Sequence, residues 1–146
     1  MRKFHFPLDR VLEWRRTEAR IEESKLERLH AEMRAIEKRE SMLALERSRS
    51  EKALTEGTPI DGSEFGRIES FRRYLSFEGV RVARLRAGCR NRIADQTKKV
   101  AVKRLEIRLL ERLREKKVIQ WEADFSREID QQAADSFIAR CRPGDL

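Results

Sequence analysis

The chain has 146 residues, of which 41% are charged and 39% hydrophobic, with only six glycines and three prolines. This balance is typical of long helices and coiled coils, which bury a narrow seam between helices instead of a globular core. The length predicts a single domain, and no enclosed substrate pocket is expected from it. The formal net charge of +8 favours an acidic protein, nucleic acid or an anionic surface as the partner, without choosing among them.

The cysteines and the N-terminal sequence predict a soluble, cytoplasmic protein. Cys89 and Cys141 are too few and too far apart for a disulfide framework or a zinc site, so two free thiols are expected. The positively charged start, residues 1–7, has no apolar stretch after it of the kind that signal peptides carry. No run approaches the roughly 20 apolar residues needed to span a bilayer.

The first predicted helix covers about residues 7–56, with Pro7 in its first turn, where the missing N–H is not needed. Apolar residues recur in it at spacings of three and four, which predicts one stripe of a coiled-coil seam. The stripe comprises Leu8, Leu12, Ala19, Leu26, Leu29, Met33, Ile36, Leu43 and Leu54. Polar residues interrupt it, so the helix should depend on a partner helix; they are Arg15, Glu22, Glu40, Arg47 and Ser50.

A single turn is predicted at residues 57–62, between the two helical runs. Gly57, Pro59 and Gly62 supply the positive and fixed φ angles that turns need. Asp61 can cap the second helix, with Glu64 three residues later as in a capping box. Folding the chain here predicts an antiparallel two-helix coiled coil in which residue i faces roughly residue 119 − i.

The second predicted helix covers about residues 63–140, ahead of a short C-terminal tail. Its apolar stripe changes phase twice, after Cys89 and again near Val118, which predicts stutters that locally unwind the supercoil. With Leu8 facing the region of Glu111, the rest of this helix is predicted to overhang without an intramolecular partner. The overhang carries Val118, Trp121, Phe125, Ile129, Phe137 and Ile138, and aromatic residues at helical spacing favour a role in binding another protein.

Charge is distributed unevenly along the chain. Residues 67–117 contain 17 Lys and Arg against 6 Asp and Glu, a balance of +11, whereas residues 118–146 have a balance of −3. The basic residues from Arg81 to Lys117 could track phosphates, so a nucleic-acid-binding coiled coil is an alternative. They are spread around the helix, however, and no compact basic region precedes an uninterrupted zipper as in a bZIP protein.

Nothing in the sequence supports catalysis or a cofactor. His5 and His30 belong to no metal-binding spacing, and there is no phosphate-binding glycine loop and no Ser/His/Asp set. The many glutamates recur along solvated helix faces, as charge runs usually do. The chain is therefore predicted not to be an enzyme, and to bind neither a metal nor a cofactor.

Three stretches resemble the FliJ family of flagellar type III export proteins. The opening KFHFPLDRVLEWRR, the run KRLEIRLLERLREKK and the closing IDQQAADSFIARC are similar to that family, as are the length and the turn near residue 60. The resemblance implies a hairpin like the central stalk of rotary ATP synthases, which engages the hexameric export ATPase ring and the cytoplasmic domain of the export-gate membrane protein. It also implies a role as export chaperone and a cytoplasmic location at the inner face of the cell membrane, at the flagellar base. Stalk proteins of virulence injectisomes share this architecture and remain an alternative, as does a free-standing structural coiled coil.

Two contact surfaces are predicted on the hairpin. Contact with the ATPase ring is expected at the open end, through Phe4, Phe6, Leu8, Val11, Leu12, Trp14, Leu110, Leu113, Val118 and Trp121. Contact with the export gate is expected near the turn, through Phe71, Leu75 and Val82 with arginines around them. For both sets the competing interpretation is burial in the seam of the hairpin.

Overall fold

The protein is a hairpin of two long helices, as the sequence predicts. The computed structural model describes residues 2–56, 59–141 and Gly144, and no strand occurs among them. Helix α1 covers Asp9–Thr55 and helix α2 covers Gly62–Arg140, and the two helices pack together. Gly57 and Thr58, which the sequence places in the turn, lie outside the described residues, as does most of the C-terminal tail.

Local hydrogen bonds explain where the helices begin. Before α1, the Asp9 N–H donates to the Phe6 carbonyl at 3.1 Å, so the chain turns at Pro7 and the helix starts two residues later than expected. Before α2, the Asp61 carbonyl accepts the Phe65 N–H at 3.0 Å, and the Asp61 carboxylate accepts the Ser63 hydroxyl at 3.2 Å. Asp61 thus occupies the N-terminal flanking position that the sequence predicts for it.

The hairpin divides into two compact units, each containing parts of both helices. The turn unit is Arg20–Ala101, and the terminal unit is Met1–Ala19 with Val102–Leu146. In the turn unit, Leu43, Leu75 and Val82 form a buried cluster. Burying such side chains contributes about 1.5–3 kcal/mol each. The seam between the helices is therefore the only hydrophobic core described for this unit.

Polar side chains occupy some of the seam positions in the turn unit and fix its register. Gln96 donates to the Glu22 carbonyl at 3.0 Å and also to the Glu22 carboxylate. That hydrogen bond, together with Lys25, lowers the pKa of Glu22. The Cys89 thiol donates to the Leu29 carbonyl at 3.5 Å. The predicted pairing of residue i with residue 119 − i places residue 22 opposite residue 97, so the predicted register is accurate here to within one residue.

The predicted phase shift after Cys89 is wrong. Ile68, Leu75, Val82, Cys89 and Gln96 follow one another at intervals of seven, and all five are buried or half-buried. The seam is thus continuous through the turn unit. The apparent stutter arose because a polar residue, Gln96, fills a seam position that hydrophobicity alone does not reveal.

A few residues of the predicted stripes face solvent instead. Leu85 is exposed because the neighbouring Arg86 takes the seam position and pairs with Glu40 at 2.9 Å. Arg47, predicted to interrupt the seam, is also exposed, and it pairs along its own helix with Glu51 at 3.7 Å. Long charged side chains can thus lie in a narrow seam because their ends still reach water or a partner.

Ion pairs join the two helices in the terminal unit. Lys103 contacts Glu18 at 3.3 Å, and Arg15 contacts Glu106 at 3.2 Å. Surface ion pairs of this kind contribute about 0–1 kcal/mol each, so they position the helices more than they stabilise them. The strongest apolar burial in this unit is instead at Phe6 and Leu12.

The overhang of α2 begins later than the sequence predicts. Val118, Trp121 and Phe125 are half-buried, although the predicted pairing leaves them without a partner. From residue 126 to residue 141 every side chain is exposed. The difference arises because the residues before α1 run alongside α2, which the pairing of two helices alone does not include.

Candidate functional site

The N-terminal segment covers an aromatic face of α2 at the open end of the hairpin. The Phe4 ring meets the Trp121 ring edge to face, with 6.1 Å between centroids, and Trp121 stacks on Phe125 at 5.2 Å. The Arg114 guanidinium lies 5.6 Å from the centre of the Phe4 ring and also pairs with Asp9 at 3.4 Å. We call residues 2–8 the strap, because this non-helical segment ties the start of α1 to α2.

The predicted ATPase-ring contacts divide into three groups by exposure. Phe6 and Leu12 are buried and belong to the interior of the terminal unit. Four are half-buried, namely Phe4, Leu110, Val118 and Trp121. The remaining four are exposed and free to meet another molecule, namely Leu8, Val11, Trp14 and Leu113. This end of the hairpin therefore has an inner side, formed by the buried and half-buried residues that pack together, and an outward apolar side formed by the four exposed residues.

Trp14 is the most prominent residue on the outward side. It is 57% exposed, although Leu12, two residues earlier, is buried. The Arg15 guanidinium lies 5.2 Å from the centre of the Trp14 ring, a cation–π arrangement that holds the indole on the surface. Exposed tryptophan and arginine side chains are enriched among residues that dominate protein–protein binding. Val11 and Trp14 are therefore the best candidates for an external contact here.

Near the turn, two of the three predicted gate contacts are buried. Leu75 and Val82 form the core cluster with Leu43 of α1. Phe71 is exposed, and its ring stacks on Tyr74 with 6.2 Å between centroids. The surface open to a partner on this face is thus the Phe71–Tyr74 pair. Tyr74 is not among the three predicted gate contacts, because it lies off the seam spacing on which that prediction rests.

A groove beside Phe71 was not predicted from the sequence. It is lined by Glu46, Arg49, Ser50, Arg67, Ile68 and Phe71. The Ser50 hydroxyl oxygen is buried and has no hydrogen-bond partner in the described part of the chain. The only sequence signal was a serine at a seam position, which by itself points to no ligand.

Acidic residues of α1 pair with several basic residues of α2. Arg86 pairs with Glu40, and Arg92 pairs with Glu32 at 2.7 Å. Hydrogen bonding by Arg81 of α2, followed by the charges of Arg81 and of Arg39 on α1, lowers the pKa of Glu78. The same hydrogen bond with Glu78 raises the pKa of Arg81. These pairs leave fewer free cations for phosphates than the sequence suggests, which weakens the case for nucleic acid.

Neither a metal site nor a membrane span is visible in the described ranges. No group of three or more His, Cys, Asp or Glu side chains there could hold a metal ion. No helix there is long and apolar enough to cross a membrane.

Comparison with known proteins identifies no relative of this chain. No family model, no curated protein and no solved structure matches this chain.

Proposed function

We propose that the chain is a stalk-like coiled-coil component of a flagellar type III protein export apparatus. In this role the open end of the hairpin engages the hexameric export ATPase ring. The surface near the turn engages the cytoplasmic domain of the export-gate membrane protein, and the protein also serves as an export chaperone. It would act in the cytoplasm, associated with the inner face of the membrane only through the gate.

The observation that carries this proposal is the outward apolar side of the open end. Val11 and Trp14 stay exposed, while the strap and Leu12 already close the hairpin internally. The closure of this end therefore does not need them. A two-helix hairpin with such an end is also the architecture that the resemblance to the FliJ family implies. A stalk protein of a virulence injectisome has the same requirements and is the nearest alternative.

Stimulation of a purified flagellar export ATPase by the full-length chain tests this function. We expect ATP turnover to rise with added chain. Replacing the two outward residues, Val11→Ala with Trp14→Ala, should raise the half-maximal concentration about 10- to 30-fold, because such anchors contribute about 2 kcal/mol to an interface. Helix content, measured by circular dichroism, should be unchanged.

The matched control is Phe77→Ala, which removes an exposed aromatic side chain from the turn unit. It should leave stimulation as in the unmodified chain. Equal stimulation by the Val11/Trp14 variant would count against the proposed ring contact. Tight, salt-sensitive binding of duplex DNA by the unmodified chain, without any effect on the ATPase, would favour the nucleic-acid alternative.

A further inference from the structure

A second apolar stripe runs along α2, on the side that faces away from α1. Val102, Leu105 and Leu109 are each more than half exposed, at spacings of three and four residues. The seam residues on the same turns, including Lys103 and Leu110, are half-buried towards α1. The exposed stripe therefore repeats at the period of a coiled-coil seam but has no helix against it.

Unpaired basic residues lie beside this stripe and continue it after Leu109. Arg108, Arg112 and Lys116 form no ion pair with any part of the chain that the structure describes. Of the acidic residues nearby, Glu111 pairs with Arg16 at 3.1 Å and Glu106 with Arg15, whereas Glu115 forms no ion pair in the described ranges. The surface is thus apolar from Val102 to Leu109 and carries a net positive charge over the next two turns, which suits an amphipathic helix with a net negative charge.

The C-terminal part of α2 is such a helix. From residue 126 to residue 141 its side chains are exposed to solvent, among them Ile129, Phe137 and Ile138. Asp130, three heptads after Leu109, lies on the side of this helix that continues the exposed stripe, and Glu122 lies towards one edge of that side. Neither residue forms an ion pair within the described residues. A solvated helix end of about 15 residues is marginal in water by itself. One molecule therefore carries two incomplete surfaces of opposite charge.

We propose that two copies of the chain associate through α2, antiparallel, about a two-fold axis near Gln120. This arrangement places the exposed stripe of each copy against the acidic C-terminal part of the other. Val102 of one copy then lies across from Ile138 of the other. Arg112 of one copy comes within one helical turn of Asp130 of the other, and Lys116 comes within one turn of the other copy's Glu122. The helices overlap over roughly 50 Å.

The symmetry explains why the charges of α2 are segregated. In an antiparallel pair, the basic part of each copy lies against the acidic part of the other. The two-fold axis therefore produces this contact twice, once on either side of the axis. The strap does not obstruct the contact, because Phe4 covers Trp121 on the side of α2 that faces α1. Charged residues interrupt the stripe near its centre, so the dimer should be of micromolar strength and weaken with salt. The inference does not depend on the export role.

Sedimentation velocity of the full-length chain tests the association. A Cys141→Ser background avoids disulfides through the exposed thiol. We expect the weight-average mass to rise from monomer to dimer between about 1 and 200 µM at low salt. Introducing Glu at Leu105 and Leu109 should abolish the dimer. The control changes exposed apolar residues of the turn unit, Met42→Glu with Leu45→Glu, and should leave the dimer intact.

Charge reversal distinguishes this arrangement from any other dimer. Arg112→Glu with Lys116→Glu should weaken self-association about tenfold or more, and so should Glu122→Lys with Asp130→Lys, because each creates like-charge contacts. A mixture of the two variants should form a heterodimer, since each then presents the charge that the other lacks. A chain that stays monomeric over the whole range overturns the proposal. So does a dimer that these substitutions leave unchanged, or a mixture that does not associate.

Discussion

Val82→Asp is expected to unfold the turn unit, at a cost of about 3 kcal/mol or more in the free energy of unfolding. Val82 is 2% exposed and packs with Leu43 and Leu75 in the buried cluster of this unit. A carboxylate there would need a cationic partner to stay charged. Arg86, four residues further along α2, is already paired with Glu40 at 2.9 Å, so it is not free to compensate.

The matched control is Val80→Asp, the same substitution at a position that is 55% exposed on the same helix. It should change the free energy of unfolding by less than about 0.5 kcal/mol. Urea denaturation followed by circular dichroism at 222 nm measures both variants, in the Cys141→Ser background. If Val82→Asp unfolds at the same urea concentration as the control, the described seam is not the core of the hairpin.

Phe6→Ala should destabilise the terminal unit by about 3 kcal/mol, because removal of a buried phenylalanine loses transfer free energy and leaves a cavity. Phe6 is 2% exposed, although it lies outside both helices. Loss of this anchor should also release the strap and separate Phe4 from Trp121. The fluorescence emission of Trp121 should then move to longer wavelength, which a Trp14→Phe background isolates.

Phe77→Ala provides the comparison, since this ring is 79% exposed and lies outside the strap. It should change neither the unfolding transition of the terminal unit nor the Trp121 emission. An unshifted Trp121 emission in the Phe6→Ala variant would mean that the strap does not depend on Phe6. The half-burial of Trp121 would then need another explanation.

The fold could be predicted because its determinants are local. One cluster of turn-forming residues separates two runs with helical periodicity, and Asp61 marks the start of α2. The pairing register follows from the position of the turn alone, and the contact of Gln96 with Glu22 lies within one residue of it. Each of these signals acts within a few residues of the chain, where sequence patterns are informative.

The strap and the polar seam positions could not be predicted in the same way. Phe4 and Phe6 precede the helix, and only the folded chain shows that they pack against α2. Gln96 belongs to the seam because Glu22 lies opposite it, which hydrophobic periodicity does not record. The candidate gate contacts illustrate the same limit: Phe71 and Leu75 are four residues apart, yet one is exposed and the other buried.

The central claim is that this hairpin is the stalk of a ring-shaped export ATPase, and the stoichiometry of the complex tests it most directly. Native mass spectrometry of the chain mixed with the assembled flagellar export ATPase would measure this. The account predicts one chain bound to six ATPase subunits, because a hexameric ring has one central axis for a stalk to occupy. It also predicts loss of that species with the Val11→Ala and Trp14→Ala variant. A mixture that shows only free chain and free hexamer, or six chains bound per hexamer, would contradict the claim.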